Sequence, residues 1–278
     1  MMRTRSIVSI LAGAIILAGG ASAAKPRAVS LDYCSDQYLL KLADPEQIAA
    51  VSRGAGKDYS YMRAAAADFP KIRATLEEAA PLSPDIILRQ WGGGAKAQFA
   101  FARFGAEVVA LGYPEDFDGV KDNIRLVAKA LDQPQRGEAL IQEMEERLEA
   151  LTVITNPAAD GVHALYVTPG GVTAGAHTMI DAIIRAAGLK NIAAEAGQVY
   201  WPALPAEQLL LDPPEIIVSG FFISRDEDVN YWSASRHPVL ERLFAKTPTV
   251  HLTADLVSCA AWFSIDAAEM IADKAVLK

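Results

Sequence analysis

Two stretches decide the fold: Glu77-Glu78-Ala79-Ala80-Pro81-Leu82-Ser83-Pro84-Asp85-Ile86-Ile87, and Glu207-Gln208-Leu209-Leu210-Leu211-Asp212-Pro213-Pro214-Glu215-Ile216-Ile217. Each carries a glutamate, six residues, then proline, an acid and two isoleucines. Each reads as a helical turn stopped by proline and followed by a buried strand, because proline disfavours helix in the residue before it and β-branched residues favour extended backbone. Used twice in one chain, the phrase marks two similar α/β lobes. Two lobes face each other across a cleft, where small ligands bind.

Working outward, strands and helices alternate as parallel α/β units require. In the first lobe, Ala28 to Leu31 reads as a strand, Ser35-Asp36 as the cap of a helix from Gln37 to Leu42, Ile86 to Leu88 as a strand, Ala95 to Phe104 as helical and Glu107 to Leu111 as a further strand. Val120, Ile124, Val127 and Leu131 recur at helical spacing. A second helix opens with Pro134 in its first turn and keeps Leu140, Met144, Leu148 and Leu151 on one stripe. Running to about Ile154, it is on the order of 30 Å long, enough for a strut between lobes. The second lobe follows with strands His163 to Val167, Ile216 to Gly220 and Val250 to Leu252, and helices Met179 to Ala187, Pro238 to Phe244 and Ser264 to Val276. The reading is two Rossmann-like parallel α/β lobes joined by a single long helix: signal peptide 1–23, N-terminal lobe 24–118, helical connector 119–155 and C-terminal lobe 156–278.

Arg3 and Arg5 precede an apolar run from Ile7 to Ala18, and Ala21-Ser22-Ala23 supplies a small-x-small cleavage site, the pattern of an export signal cut near Ala23. The run is shorter than the roughly 20 residues of a membrane span. The expectation is a soluble periplasmic protein. Losing two arginines moves the formal charge from −8 to −10. No basic stripe is present, which argues against a nucleic-acid partner.

Cys34 and Cys259 are the only cysteines. In an oxidising compartment they either pair, closing a loop worth about 4 to 5 kcal/mol in the chain-entropy model, or remain two separate buried thiols. Phosphate-loop, nucleophile-elbow and H-E-x-x-H motifs are absent. His163, His177, His237 and His251 lack ligand spacing, so no metal site is assigned, although distant residues can converge. His177, in a glycine-rich loop, is either solvated or in contact with ligand. An exported hydrolase is the remote alternative: Ser35 sits beside Asp32 and Asp36 but has no histidine nearby in sequence.

The stronger constellation lies at strand exits, where parallel α/β lobes carry their ligand loops. Tyr33 follows the first strand, Arg89 and Trp91 the Ile86 strand, and Phe221 and Phe222 the Ile216 strand; Tyr200, Trp201 and Trp262 fall on loops of the second half. With Asp32 and His177 these form the candidate ligand-binding set. Flat aromatics suit a large, partly apolar ligand, and an arginine can pair with an anionic chelate through a charge-assisted fork. For any single aromatic, core packing is the alternative.

Val29 to Gln37, the Glu77 to Ile87 phrase, the interlobe helix, Val167 to Gly175, Ala187 to Ile192 and Trp201 to Ile217 together resemble the periplasmic binding proteins of the ferric-siderophore and cobalamin class. The resemblance implies two lobes joined by one rigid helix, limited hinge motion, ligand between the lobes and no catalysis or resident cofactor. It implies delivery of a metal chelate by a monomer to an ABC permease dimer in the inner membrane, with Glu77 and Glu207 matching the glutamates that meet permease arginines. Glu77 and Glu207 also suit a helical first turn on dipole grounds alone. Trp91-Gly92-Gly93 and Trp201-Pro202 are similar to cobalamin-binding members. The cysteine pair and Ser258 to Phe263 look more like iron-complex members. The expectation is a ferric siderophore, with cobalamin or haem as alternatives.

Overall fold

The computed structural model describes residues 24–155, 161–204, 209, 213–221 and 238–276. The leader, Glu207 and Phe222 therefore lie outside the described residues.

The first sheet is built from β1 (Ala28–Ser30), β2 (Ile48–Ser52), β3 (Lys71–Ile72), β4 (Ile86–Arg89) and β5 (Glu107–Ala110), in the order β3-β2-β1-β4-β5. All pairs are parallel. β1 and β2 are buried on both faces, which explains why they read as short continuous apolar runs rather than alternating ones. α1 (Tyr33–Leu42) and α4 (Phe117–Ala130) cover one face, while α2 (Leu76–Ala79) and α3 (Ala97–Ala102) bring Ala79, Ala97 and Phe101 against Val29 and Ile87 on the other.

α1 begins four residues before the position expected from Ser35-Asp36. Asp32 is the cap: its carboxylate accepts the Ser35 N–H at 2.9 Å, and the Ser35 hydroxyl accepts the Asp32 N–H at 3.3 Å. Every residue of Asp32 to Asp36 has cap chemistry or tolerates a first turn, and the reciprocal Asp-x-x-Ser pair decides the start. Asp36, freed from capping, is fully buried and ties α1 to the sheet by accepting from the hydroxyls of Ser30 and Ser52 and from the Ser52 N–H. α3 is shorter than expected because Gly93, Gly94 and Gly105, all at positive φ, bound the segment on both sides.

α5 (Pro134–Thr155) follows antiparallel to α4 and spans about 33 Å. The second sheet contains β6 (His163–Val167), β7 (Lys190–Asn191), β8 (Ile216–Gly220) and β9 (Thr249–Leu252), again parallel, in the order β7-β6-β8-β9. Leu165, Val167 and Ile217 pack beneath α8 (Pro238–Lys246); the opposite face meets α6 (Met179–Ala186) and α10 (Ser264–Val276), and the short α7 (Ile192–Glu195) closes the β7 edge. Both occurrences of the repeated phrase thus open the strand beside the first one of their sheet, β4 next to β1 and β8 next to β6.

The boundary at residue 156 assigns α9 (Ala254–Val257) and α10 to the C-terminal lobe, yet this segment is fastened to the N-terminal one. Cys34 and Cys259 form a disulfide, the Tyr38 hydroxyl donates to the Ala260 carbonyl at 2.9 Å, Tyr61 donates to Asp266 at 2.7 Å and Arg63 pairs with Asp255 at 2.6 Å. Arg147 of α5 reaches Asp266 and Glu269, both at 2.6 Å. One core consequently runs through both lobes, from Leu39 to Ile271.

Candidate functional site

In each sheet the chain reverses its order of addition at one point, between β1 and β4 in the first and between β6 and β8 in the second. Loops leaving the carboxyl ends of such strand pairs diverge and leave a crevice. In the N-terminal lobe these loops start at Asp32 and Gln90. The second oxygen of the Asp32 carboxylate accepts the backbone N–H groups of Gln90, Trp91 and Gly92, at 2.7, 3.1 and 2.9 Å. Gly92 lies so close to β1 that a Cβ there would stand 2.5 Å from the Leu31 carbonyl oxygen. The Trp91 loop is therefore nailed to the start of α1. Trp91 stands edge-on to Tyr33, ring centres 5.0 Å apart, and Tyr33 meets Tyr59 at 4.6 Å. Arg89 turns onto its own loop, donating to the carbonyls of Gly92 at 2.7 Å and Trp91 at 3.2 Å. Asp32 is buried and its oxygens are committed to the scaffold.

On the opposite wall, residues 173–176 pair with 198–202. Gly175 N–H donates to Tyr200 O, Ala176 N–H to Gln198 O and Tyr200 N–H to Ala176 O. A Cβ on Gly175 would lie 2.4 Å from the Gln198 oxygen, so only glycine admits this approach. The weld holds His177 and Tyr200 at φ of 62° and 58°, a left-handed conformation that non-glycine residues keep only where surrounding structure imposes it. Their rings are 5.9 Å apart, and Trp201 stands edge-on to Tyr166 at 6.4 Å. Tyr200 and Trp201 remain 55% and 56% exposed, side by side on the wall of the cleft. Across the gap, His177 Nδ1 sits 3.1 Å from the Glu115 carboxylate of the N-terminal lobe.

Leu256 to Ala260 and Ser264 form the floor. With Tyr113, Pro114, Glu115, His177, Met179, Tyr200 and Trp201 they enclose a cavity of about 330 Å³. No lysine or arginine lines it among the described residues. The disulfide sits at the base of the cavity and links its floor to α1, directly after Tyr33.

The structure thus brings His177, Tyr200 and Trp201 onto one cavity, with Tyr33, Arg89 and Trp91 on the adjoining loops: the Tyr113 hydroxyl donates to the Gln90 carbonyl at 3.4 Å and joins the two groups. Phe221, at φ 67°, is half-buried at the carboxyl end of β8. Trp262 packs in the core instead, edge-on to Tyr38 and Phe263 and 6% exposed, since the segment after Cys259 lies against α1. Glu77 is exposed in the first turn of α2. Tyr113, Glu115 and Tyr59 escaped the sequence reading. Tyr113 follows the exit of β5 and was open to the same strand-exit argument as Trp91; Tyr59 and Glu115 carry no local signal.

Among the described residues, no three His, Cys, Asp or Glu side chains converge on a metal-sized point. A serine–histidine pair exists, Ser219 Oγ lying 2.6 Å from His251 Nδ1, but Ser219 is buried within β8 and no described carboxylate bonds the ring. A nucleophile needs access and an oriented base, and this pair has neither.

A family model described as periplasmic binding protein matches residues 28–248. The chain is 24% identical over 202 residues to a cobalamin-binding protein of Halobacterium salinarum, covering 72% of this chain and 55% of that protein, so it spans about half the length of that relative. It is 26% identical to a vitamin B12-binding protein of Photorhabdus laumondii, covering 79% of this chain and 81% of the other. A periplasmic heme-binding protein from Roseiflexus superposes with a TM-score of 0.69 at 23% identity, covering 91% of this chain and all of that one.

Proposed function

The chain belongs to the periplasmic binding protein family, whose members bind rather than turn over their ligands, and from that premise we propose that it captures a corrinoid between its lobes and delivers it to an ABC permease. The observation carrying this reading is the cavity itself. Its walls are aromatic and apolar, its described lining holds no cation, and Arg89 is already engaged by two carbonyls of its own loop. A polyanionic chelate such as a ferric catecholate calls for unspent lysine or arginine. A flat macrocycle with a modest net charge calls for rings to lie against, and Tyr113, Tyr200, Trp201 and the Tyr33–Trp91 pair provide them. The cobalamin and vitamin B12 ligands in the names of the two relatives support the same choice.

A ferric siderophore of the uncharged hydroxamate type is the second reading. It is favoured by the cysteine pair and the Ser258 to Phe263 stretch, which resemble iron-complex members and here build the cavity floor. Export through the 1–23 leader, and docking on the permease through Glu77 with Glu207, complete the proposal.

The deciding experiment titrates the purified mature protein with cyanocobalamin, a ferric hydroxamate, a ferric catecholate and haem, following tryptophan fluorescence and thermal unfolding. A ligand at a hundredfold over its Kd stabilises the fold by about 2.7 kcal/mol. Saturable quenching with a raised Tm for cyanocobalamin alone is the expected result. Saturation by the ferric hydroxamate instead moves the assignment to the second reading, and tight binding of the catecholate contradicts the charge argument.

A further inference from the structure

We propose that Glu115 and His177 form the closing latch of the cleft, a bond between lobes that must break for ligand to enter or leave. The inference rests on the cavity being the binding site. The cross-lobe bonds at the back, Cys34–Cys259, Tyr38–Ala260, Tyr61–Asp266 and Arg63–Asp255, all engage residues 255–266, which form or adjoin the floor. They hold floor and N-terminal wall together, and α6 behind the opposite wall packs on α10 of the same core, so the part of that wall left to move is its front, the paired loops 173–178 and 198–202. Glu115–His177 is where that wall touches the N-terminal lobe at the front, at 3.1 Å. Both partners are backed by rigid structure. Glu115 precedes Asp116, whose carboxylate caps α4 by accepting the Gly119 N–H at 2.9 Å. His177 is locked in its left-handed backbone by the 175–200 weld and precedes the Thr178 cap of α6. A residue held at cost in such a conformation, and aimed at the other lobe, is built for that contact.

Both side chains are at least half-solvated, so the latch is weak, as a reversible closure requires. Its loss should alter exchange about two- to fivefold rather than abolish binding.

The test uses ligand-free protein labelled with 5-fluorotryptophan, in which the fluorine signal of Trp201 reports the position of the moving wall. Glu115→Gln and His177→Asn should shift that signal in the same direction, and the double variant should go no further than either single one. An unmoved signal, or single effects that add, overturns the latch. Release of cyanocobalamin, followed by stopped-flow fluorescence, should quicken about two- to fivefold in each variant with no added effect in the double one. If no corrinoid binds, the ligand assignment fails and the fluorine measurement still decides the latch.

Discussion

Cys34 and Cys259 stand 225 positions apart in sequence and 5.4 Å apart at their Cα atoms, joined by a disulfide that fixes the floor of the cleft to the first helix. A loop of that length implies about 5 kcal/mol of denatured-state entropy in the chain-entropy model. We expect Cys34→Ala with Cys259→Ala to fold and to lose about 2–5 kcal/mol, read from the urea midpoint. A loss under about 1 kcal/mol would show that the surrounding bonds fix the floor without covalent help.

Asp36 is buried between Ser30 and Ser52, and burial pushes its carboxyl up to about 7 against the three hydrogen bonds that favour its charged form. With the folded value above the unfolded one, the native state holds the proton longer, so this contribution to stability is full below about pH 4 and is lost as pH rises toward 7. Relative to Asp36→Asn, the wild type should therefore weaken steadily across that window. Parallel stability curves for the two proteins would contradict the assignment.

Asp32→Ala removes a helix cap and leaves the amides of Gln90, Trp91 and Gly92 without their acceptor. The expected cost is about 2–4 kcal/mol, combining a lost cap with unsatisfied donors. Hydrogen exchange should accelerate at residues 90–92 ahead of the rest of the first sheet. Uniform acceleration would mean that the loop is not held separately.

Trp201→Ala should leave Tm within about 1 °C of wild type, since the side chain is 56% exposed, yet weaken ligand binding by about tenfold or more. Unchanged affinity would remove this side chain from the binding wall.

Glu77→Arg combined with Glu207→Arg should leave affinity for the ligand intact and abolish uptake by cells. Normal uptake in that strain would end the docking role.

The repeated Glu-x6-Pro-acid-Ile-Ile phrase made the two sheets legible, because proline and paired isoleucines act locally on backbone and burial. β6, β8 and α10 begin and end where the pattern placed them. Side chains were legible only as far as they depend on their own strand: Arg89 and Trp91 follow from strand-exit logic and Tyr113 was within its reach, whereas Tyr200 stands on the loop after α7. Contacts created by bringing residues 115 and 177, or 38 and 260, together have no trace in local sequence. The cysteine pair was visible as a possibility, but whether two residues 225 apart meet is a property of the closed fold.

The fastening of residues 255–269 to the N-terminal lobe also sets an order of assembly. Synthesis runs from the N-terminus, so Cys34, Tyr38, Tyr61 and Arg63 emerge roughly 200 residues ahead of Cys259, Ala260, Asp266 and Asp255. Until the last two helices arrive, the Tyr38 hydroxyl lacks the Ala260 carbonyl and the Cys34 thiol lacks its disulfide partner. The lobe made first therefore waits for the segment made last, and because α10 also covers the second sheet, a chain truncated before residue 254 would be expected to lose the native form of both lobes at once.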